Sequence, residues 1–228
     1  MKSATIPQQF LISSCIAIAY FLVALVALEF ATTSSVTIFW PSSGLALAAL
    51  IRFGKRYAIG VFIGALAAGV YVNHPLLTSL TIALGNTLEP LVAIYLLRFL
   101  PFSANMYHKH DYISLIVAGS SGAIISAILG TTSLLMAGYI ARLDFSTIVA
   151  WWMGDSIGIL LIAPFLLLFS YSQLRFSLNA KGAELTSLLI ISILLAYFIL
   201  AGGDIGLLNQ FKGSYLLTIP LAWAILRF

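Results

Sequence analysis

The chain has 228 residues, of which 61% are hydrophobic and 8% charged, with a net charge of +4 and a mean hydropathy of +1.08. A soluble domain carries roughly 25% charged residues, so this composition excludes a water-soluble globular fold. The single cysteine, Cys15, excludes an intramolecular disulfide and a thiolate metal cluster, and basic residues standing singly at the ends of apolar runs do not make a nucleic-acid surface.

The apolar material falls in runs near the roughly 20 residues that cross a bilayer as a helix. We expect an all-α, polytopic transmembrane helical bundle with about eight spans, forming a single domain over residues 1–228. The spans fall at 8–29, 36–51, 57–73, 76–99, 112–138, 145–170, 184–201 and 214–228. The first follows only Lys2 and leads into "EFATTSS" without an A-x-A cleavage pattern, so it reads as a retained anchor. The second opens on Trp40 and Pro41 in "FWPSSG", and the third carries Gly60 and Gly64. "GNTLEP" in the fourth holds Gly85, Asn86 and Glu89. The loop "MYHKHDY" places His108 and His110 around Lys109. Two histidines at i, i+2 do not face one another on a helix, so this is expected to be a solvated loop rather than a metal site. The sixth span contains "WWMGDSIG", with Trp151, Trp152, Gly154 and Asp155.

Lys and Arg are enriched in short cytoplasmic loops. An inward N-terminus places Lys2, Arg52, Lys55, Arg56, Arg98, Lys109, Arg175, Lys181 and Arg227 inside and leaves Arg142 and Lys212 outside. Both termini are therefore expected in the cytoplasm. The even-numbered spans each carry a proline (Pro41, Pro90, Pro164, Pro220) followed by an arginine. This is either a repeated two-helix unit or the ordinary tolerance of membrane helices for proline.

Glu89 and Asp155 lie near the middle of their spans, where an ionised acid costs on the order of 2.5 to 3.5 kcal/mol. No Lys or Arg is near mid-span to pair with them. Each is a candidate ligand, proton or cation site; equally, a protonated carboxyl bonded to a neighbouring helix would fix the fold. Trp40, Trp151 and Trp152 lie toward the outer ends of their spans, where indoles serve as interface anchors or line an outward pocket. Gly154 with Gly158 and Gly60 with Gly64 form G-x-x-x-G pairs, suited to packing within the bundle or to a homodimer. The sequence contains no phosphate loop, nucleophile triad or H-E-x-x-H pattern, so neither catalysis nor a cofactor is expected of this chain.

Four blocks, "FWPSSGLALAALIRFGKRYAIGVFIGALAAGVYVN", "GNTLEPLVAIYLLRFL", "ISAILGTTSLLMAG" and "WWMGDSIGILLIAPFLLLF", occur in the order that resembles the first membrane-associated sensor family, MASE. The resemblance implies a sensory module of the bacterial inner membrane with about eight spans. It further implies a cytoplasmic output domain in cis, such as a histidine kinase or an enzyme of cyclic-di-GMP synthesis or degradation. The family's tryptophan-proline pair corresponds to Trp40 and Pro41, and its asparagine-glutamate block to Asn86 and Glu89. Its double tryptophan with Gly-Asp corresponds to Trp151, Trp152, Gly154 and Asp155. On this basis the chain is expected to be the N-terminal part of a longer signalling protein, with the lipid bilayer and an unknown small ligand or partner membrane protein as its contacts. A small secondary transporter or channel using midplane carboxylates is the alternative, and a purely structural anchor a third.

Overall fold

A computed structural model of the chain describes residues 6–29, 37 and 39–168. The predicted spans at 184–201 and 214–228, and with them Pro220, lie outside the described residues. Every regular element among the described residues is helical: α1 (Ile6–Leu28), α2 (Pro41–Phe53), α3 (Ala58–Tyr71), α4 (Leu76–Leu96), α5 (Lys109–Met136) and α6 (Phe145–Leu168), with short 3-10 turns at Lys55–Tyr57 and Leu97–Phe99. Among the described residues four helices are long and apolar enough to cross a membrane: α1, α4 with its 3-10 extension, α5 and α6.

The distribution of side chains follows from the solvent. In a bilayer, lipid tails are as apolar as leucine, so helices associate through close packing and hydrogen bonds rather than by hiding apolar surface. Accordingly α1 turns Ile18, Leu22 and Val26 outward and keeps Tyr20, Ala24 and Ala27 inside. The buried set across the bundle is rich in small and polar residues, including Ser42, Ser43, Ser126, Asn86, Glu89 and Asp155.

Glycine sets the closest approaches. A Cβ at Gly60 would stand 2.5 Å from the Ser13 carbonyl oxygen, and one at Gly64 2.6 Å from that of Ala17, so α3 lies directly on α1. On the other side of α3, Gly69 packs against Ser79 of α4. At Gly158 and Gly44 an added Cβ would overlap the backbone oxygens of Trp40 and Gly158 respectively, which holds α2 against α6. Both G-x-x-x-G pairs thus contribute to packing inside the bundle.

The second predicted span departs from expectation. Instead of a helix over 36–51, Thr37, Phe39 and Trp40 are non-helical, and α2 starts at Pro41 and runs only 13 residues, about 20 Å at 1.5 Å per residue. Pro41 occupies the first helical position, where its missing N–H is no loss. It starts a helix rather than kinking one, whereas Pro90 and Pro164 lie inside α4 and α6. The proposed repeat therefore breaks at its first member. The Trp40 amide donates to the Gly154 carbonyl at 3.0 Å, and Gly154 is about 14 Å along α6 from Phe145. The first turn of α2 consequently opens at the middle of the bundle.

Helix directions gather Arg52, Lys55, Arg56, Arg98 and Lys109 at one end of the bundle and put Arg142 at the opposite end. At the start of α5 the histidine rings do meet, contrary to expectation: His108 and His110 stack at 4.9 Å between centroids. His108 is the helix cap, with extended φ and ψ, so the helical spacing argument does not apply to it. Asp111 completes the cap, accepting from the amides of Ser103 at 2.8 Å and His108 at 2.9 Å, with His110 Nδ1 at 3.3 Å.

Candidate functional site

The N-terminal turn of α2 carries two adjacent serines with separate tasks. Ser42 donates to the Tyr20 carbonyl of α1 at 3.3 Å, and Ser43 donates to Asp155 Oδ1 of α6 at 3.0 Å. A helix N-terminus presents positive potential to an anion, so the chain places Asp155 where the first turn of α2 and a hydroxyl donor both favour its charge. Asp155 is 1% exposed, and its second oxygen has no hydrogen-bond partner.

Glu89 comes from α4 and is fully buried. Its carboxyl neighbours Asp155, Ser43 and Ser126, yet neither of its oxygens has a hydrogen bond of ordinary geometry. The backbone explains the close fit: Gly122 of α5 lies against the Glu89 carbonyl, and Gly85 packs on Ser126. One turn along the same face of α4, Asn86 Oδ1 accepts from Ser126 Oγ at 2.7 Å, and Ser126 Oγ in turn accepts from Trp151 Nε1 at 3.1 Å. The indole of Trp40 donates to the Tyr20 hydroxyl at 3.2 Å.

An open cavity borders part of this cluster. The almost fully buried Asp155 and Asn86 line it together with Trp40, Trp151 and, where α3 leads into α4, the partly exposed Val72 and His74. An apolar wall with a few convergent polar groups is the usual make-up of small-molecule sites.

Of the residues singled out in the sequence, Asp155, Asn86, Trp40 and Trp151 meet at this cavity and Glu89 lies beside them. Pro41 and Gly154 build the α2–α6 junction beneath it. Trp152 points elsewhere, donating to the Ser120 carbonyl of α5 at 2.8 Å. Each of the three indole N–H groups thus donates to a partner within the bundle. Ser43, Ser126 and Tyr20 were not singled out. A serine two residues after the helix-starting Pro41 was the available signal for Ser43, while nothing local distinguishes Ser126.

Exposed apolar faces around a buried polar core, on helices of membrane-crossing length, mark a multi-pass membrane protein. A family model, MASE1, matches residues 10–228, and the chain belongs to this family of membrane-associated sensor domains. Comparison with curated proteins and with solved structures gave no match. MASE1 domains are sensory rather than catalytic.

Proposed function

We propose that residues 1–228 form the signal-input domain of a bacterial signalling protein, seated in the inner membrane with both termini cytoplasmic. In this reading it governs a cytoplasmic histidine kinase or an enzyme of cyclic-di-GMP turnover in cis. The observation that carries the proposal is the Asp155 carboxyl, which lines an open cavity and is bonded across the α2–α6 junction, with Glu89 buried beside it. Occupancy of the cavity changes the partners of Asp155. Asp155 is bonded to α2, so the change alters how α2 holds α6, the described helix that leads toward residues 169–228. A signal of this kind needs two arrangements of the junction with different affinities for the stimulus.

The test is to place Asp155→Asn and Glu89→Gln in the parent protein with its output domain and measure basal and stimulated output at matched expression. Altered output supports the role. Wild-type signalling by both variants overturns it. The half-length α2, opening at mid-bundle beside midplane carboxylates, favours a second reading, since broken helices of this kind serve secondary transporters. Proteoliposome uptake that is lost in Glu89→Gln would move the assignment there.

A further inference from the structure

Three side chains at the start of α5, His108, His110 and Asp111, bring two imidazole nitrogens and a carboxylate within 4.8 Å of one another. They lie at the end of the bundle that carries Arg52 and Arg98, the opposite end from His74, and none of them lines the cavity. His108 Nδ1 stands 3.6 Å from Asp111 Oδ2, and His110 Nδ1 stands 3.3 Å from Oδ1. The ring planes are only 7° apart, so parallel imidazoles flank one carboxylate, each with Nδ1 toward it. The Asp111 side chain is fully buried, while the imidazoles that help to cover it are 67% and 53% exposed. An exposed ring can swing aside and admit an ion from solvent.

The frame around these groups is built from the chain's own bonds. Asp111 accepts the Ser103 amide on Oδ1 and the His108 amide on Oδ2, which fixes the carboxylate and leaves a further lone pair on each oxygen. Hydrogen bonds of this outer kind orient ligating carboxylates in metal sites. Ser114 Oγ donates to the Pro101 carbonyl at 2.8 Å, and the buried Met106 anchors the loop between α4 and α5. His110 Nδ1 also lies 3.1 Å from the Pro101 carbonyl. When His110 Nδ1 turns to an ion, Pro101 keeps the Ser114 donor, so the carbonyl is not left unpaired.

Around a zinc ion with nitrogen and oxygen ligands at about 2.0 to 2.2 Å, tetrahedrally placed ligand atoms stand about 3.3 to 3.5 Å apart. The two imidazole–carboxylate distances are already close to this spacing, and any adjustment falls on the exposed rings. Imidazoles suit zinc, copper and nickel, whereas magnesium and calcium take oxygen ligands. Two features oppose a cation here: the positive end of α5 and the ammonium of Lys109 between the histidines. We propose that His108, His110 and Asp111 form a binding site for a divalent transition-metal ion of the zinc class, with water in its remaining positions. The proposal goes beyond the sensor reading and does not depend on it.

The test uses the whole chain without a histidine tag, in zwitterionic nanodiscs with empty nanodiscs subtracted, titrated calorimetrically with Zn²⁺, Ni²⁺ and Mg²⁺. Zn²⁺ and Ni²⁺ should bind one equivalent with a Kd of about 1 to 100 µM, and Mg²⁺ at least about a hundredfold more weakly. His108→Gln and His110→Gln, both at exposed positions, should each weaken Zn²⁺ at least about tenfold, since even the loss of an outer-shell partner costs about 10- to 100-fold. His74→Gln should leave the affinity unchanged. In spectra of isotope-labelled histidine, Zn²⁺ should shift the Nδ1 signals of His108 and His110 and leave that of His74 in place. The absence of saturable Zn²⁺ binding below about 1 mM, equal binding of Mg²⁺, unchanged affinity in either folded variant of His108 or His110, or loss of binding in His74→Gln overturns the proposal. If a variant does not fold, the histidine spectra of the unaltered chain decide alone.

Discussion

Ser43 Oγ donates to Asp155 Oδ1 across 3.0 Å, joining positions 112 residues apart. Through this bond a mid-membrane carboxylate is tied to the first turn of a helix only 13 residues long. Losing one member of a buried polar pair leaves the other unsatisfied, at about 1 to 3 kcal/mol. Ser43→Ala should therefore lower thermal stability in nanodiscs by about that amount. Ser42→Ala, which gives up a neutral donor to a backbone carbonyl, should lower it by only about 1 kcal/mol. Equal losses would show that the Asp155 contact has no special weight.

Gly158 and Gly85 both sit at helix contacts but predict different outcomes. A Cβ at Gly158 would overlap the Trp40 carbonyl, whereas one at Gly85 would stand 3.3 Å from its nearest neighbours. Backbone cannot give way as a side-chain tip does, so Gly158→Ala should destabilise by about 3 kcal/mol or more and Gly85→Ala by about 1 kcal/mol or less. Thermal unfolding of the two variants in the same nanodiscs makes the comparison.

Gly130 provides the space in which the Trp151 ring lies, and a Cβ there would overlap the end of that ring. Gly130→Ala is expected to displace the indole and lengthen its bond to Ser126 Oγ, now 3.1 Å. The readout is a shift in Trp151 emission, measured with the other three tryptophans replaced by phenylalanine. An unshifted spectrum would mean that the ring is not held where it lies.

His74, half-buried between α3 and α4 with its ring 4.9 Å from that of Tyr139, titrates under constraint. Burial holds its imidazole below the ordinary value of 6.5. The unfolded chain then binds the proton more readily than the folded one, so stability is intact above about pH 6.5 and falls as pH drops through the lowered folded value. Thermal unfolding from about pH 7.5 to 5 should show this decline, and His74→Gln should flatten it. The opposite slope would contradict a buried neutral imidazole.

The capping contacts of Asp111 yield a prediction far from the cavity. Asp111→Ala removes the acceptor for the Ser103 and His108 amides and should cost about 1 to 2 kcal/mol without altering ligand binding at Asp155. A change in that binding would reveal coupling along α5.

The sequence by itself determined the class of protein. A chain with 8% charge and apolar runs of bilayer length has no other solvent to fold in; only helices and closed barrels satisfy a backbone there, and runs this long without alternation select helices. Family membership was also legible, because Trp40-Pro41, Asn86-Glu89 and Trp151-Trp152-Gly154-Asp155 are local patterns. So was the placing of Lys and Arg at the ends of the apolar runs rather than near Glu89 and Asp155 in sequence. Hydropathy, however, is a one-dimensional measure of length and average polarity. It could not register that α2 starts at Pro41, because Thr37 to Trp40 are no more polar than a helix would be. Nor could it tell which of two adjacent indoles turns toward Ser126 and which toward Ser120, about 100° apart on the helix. Those outcomes were set by the tertiary structure: glycines at 44, 122 and 158 let backbones approach closely enough to bring Ser43, Glu89 and Asp155 from three helices to one point.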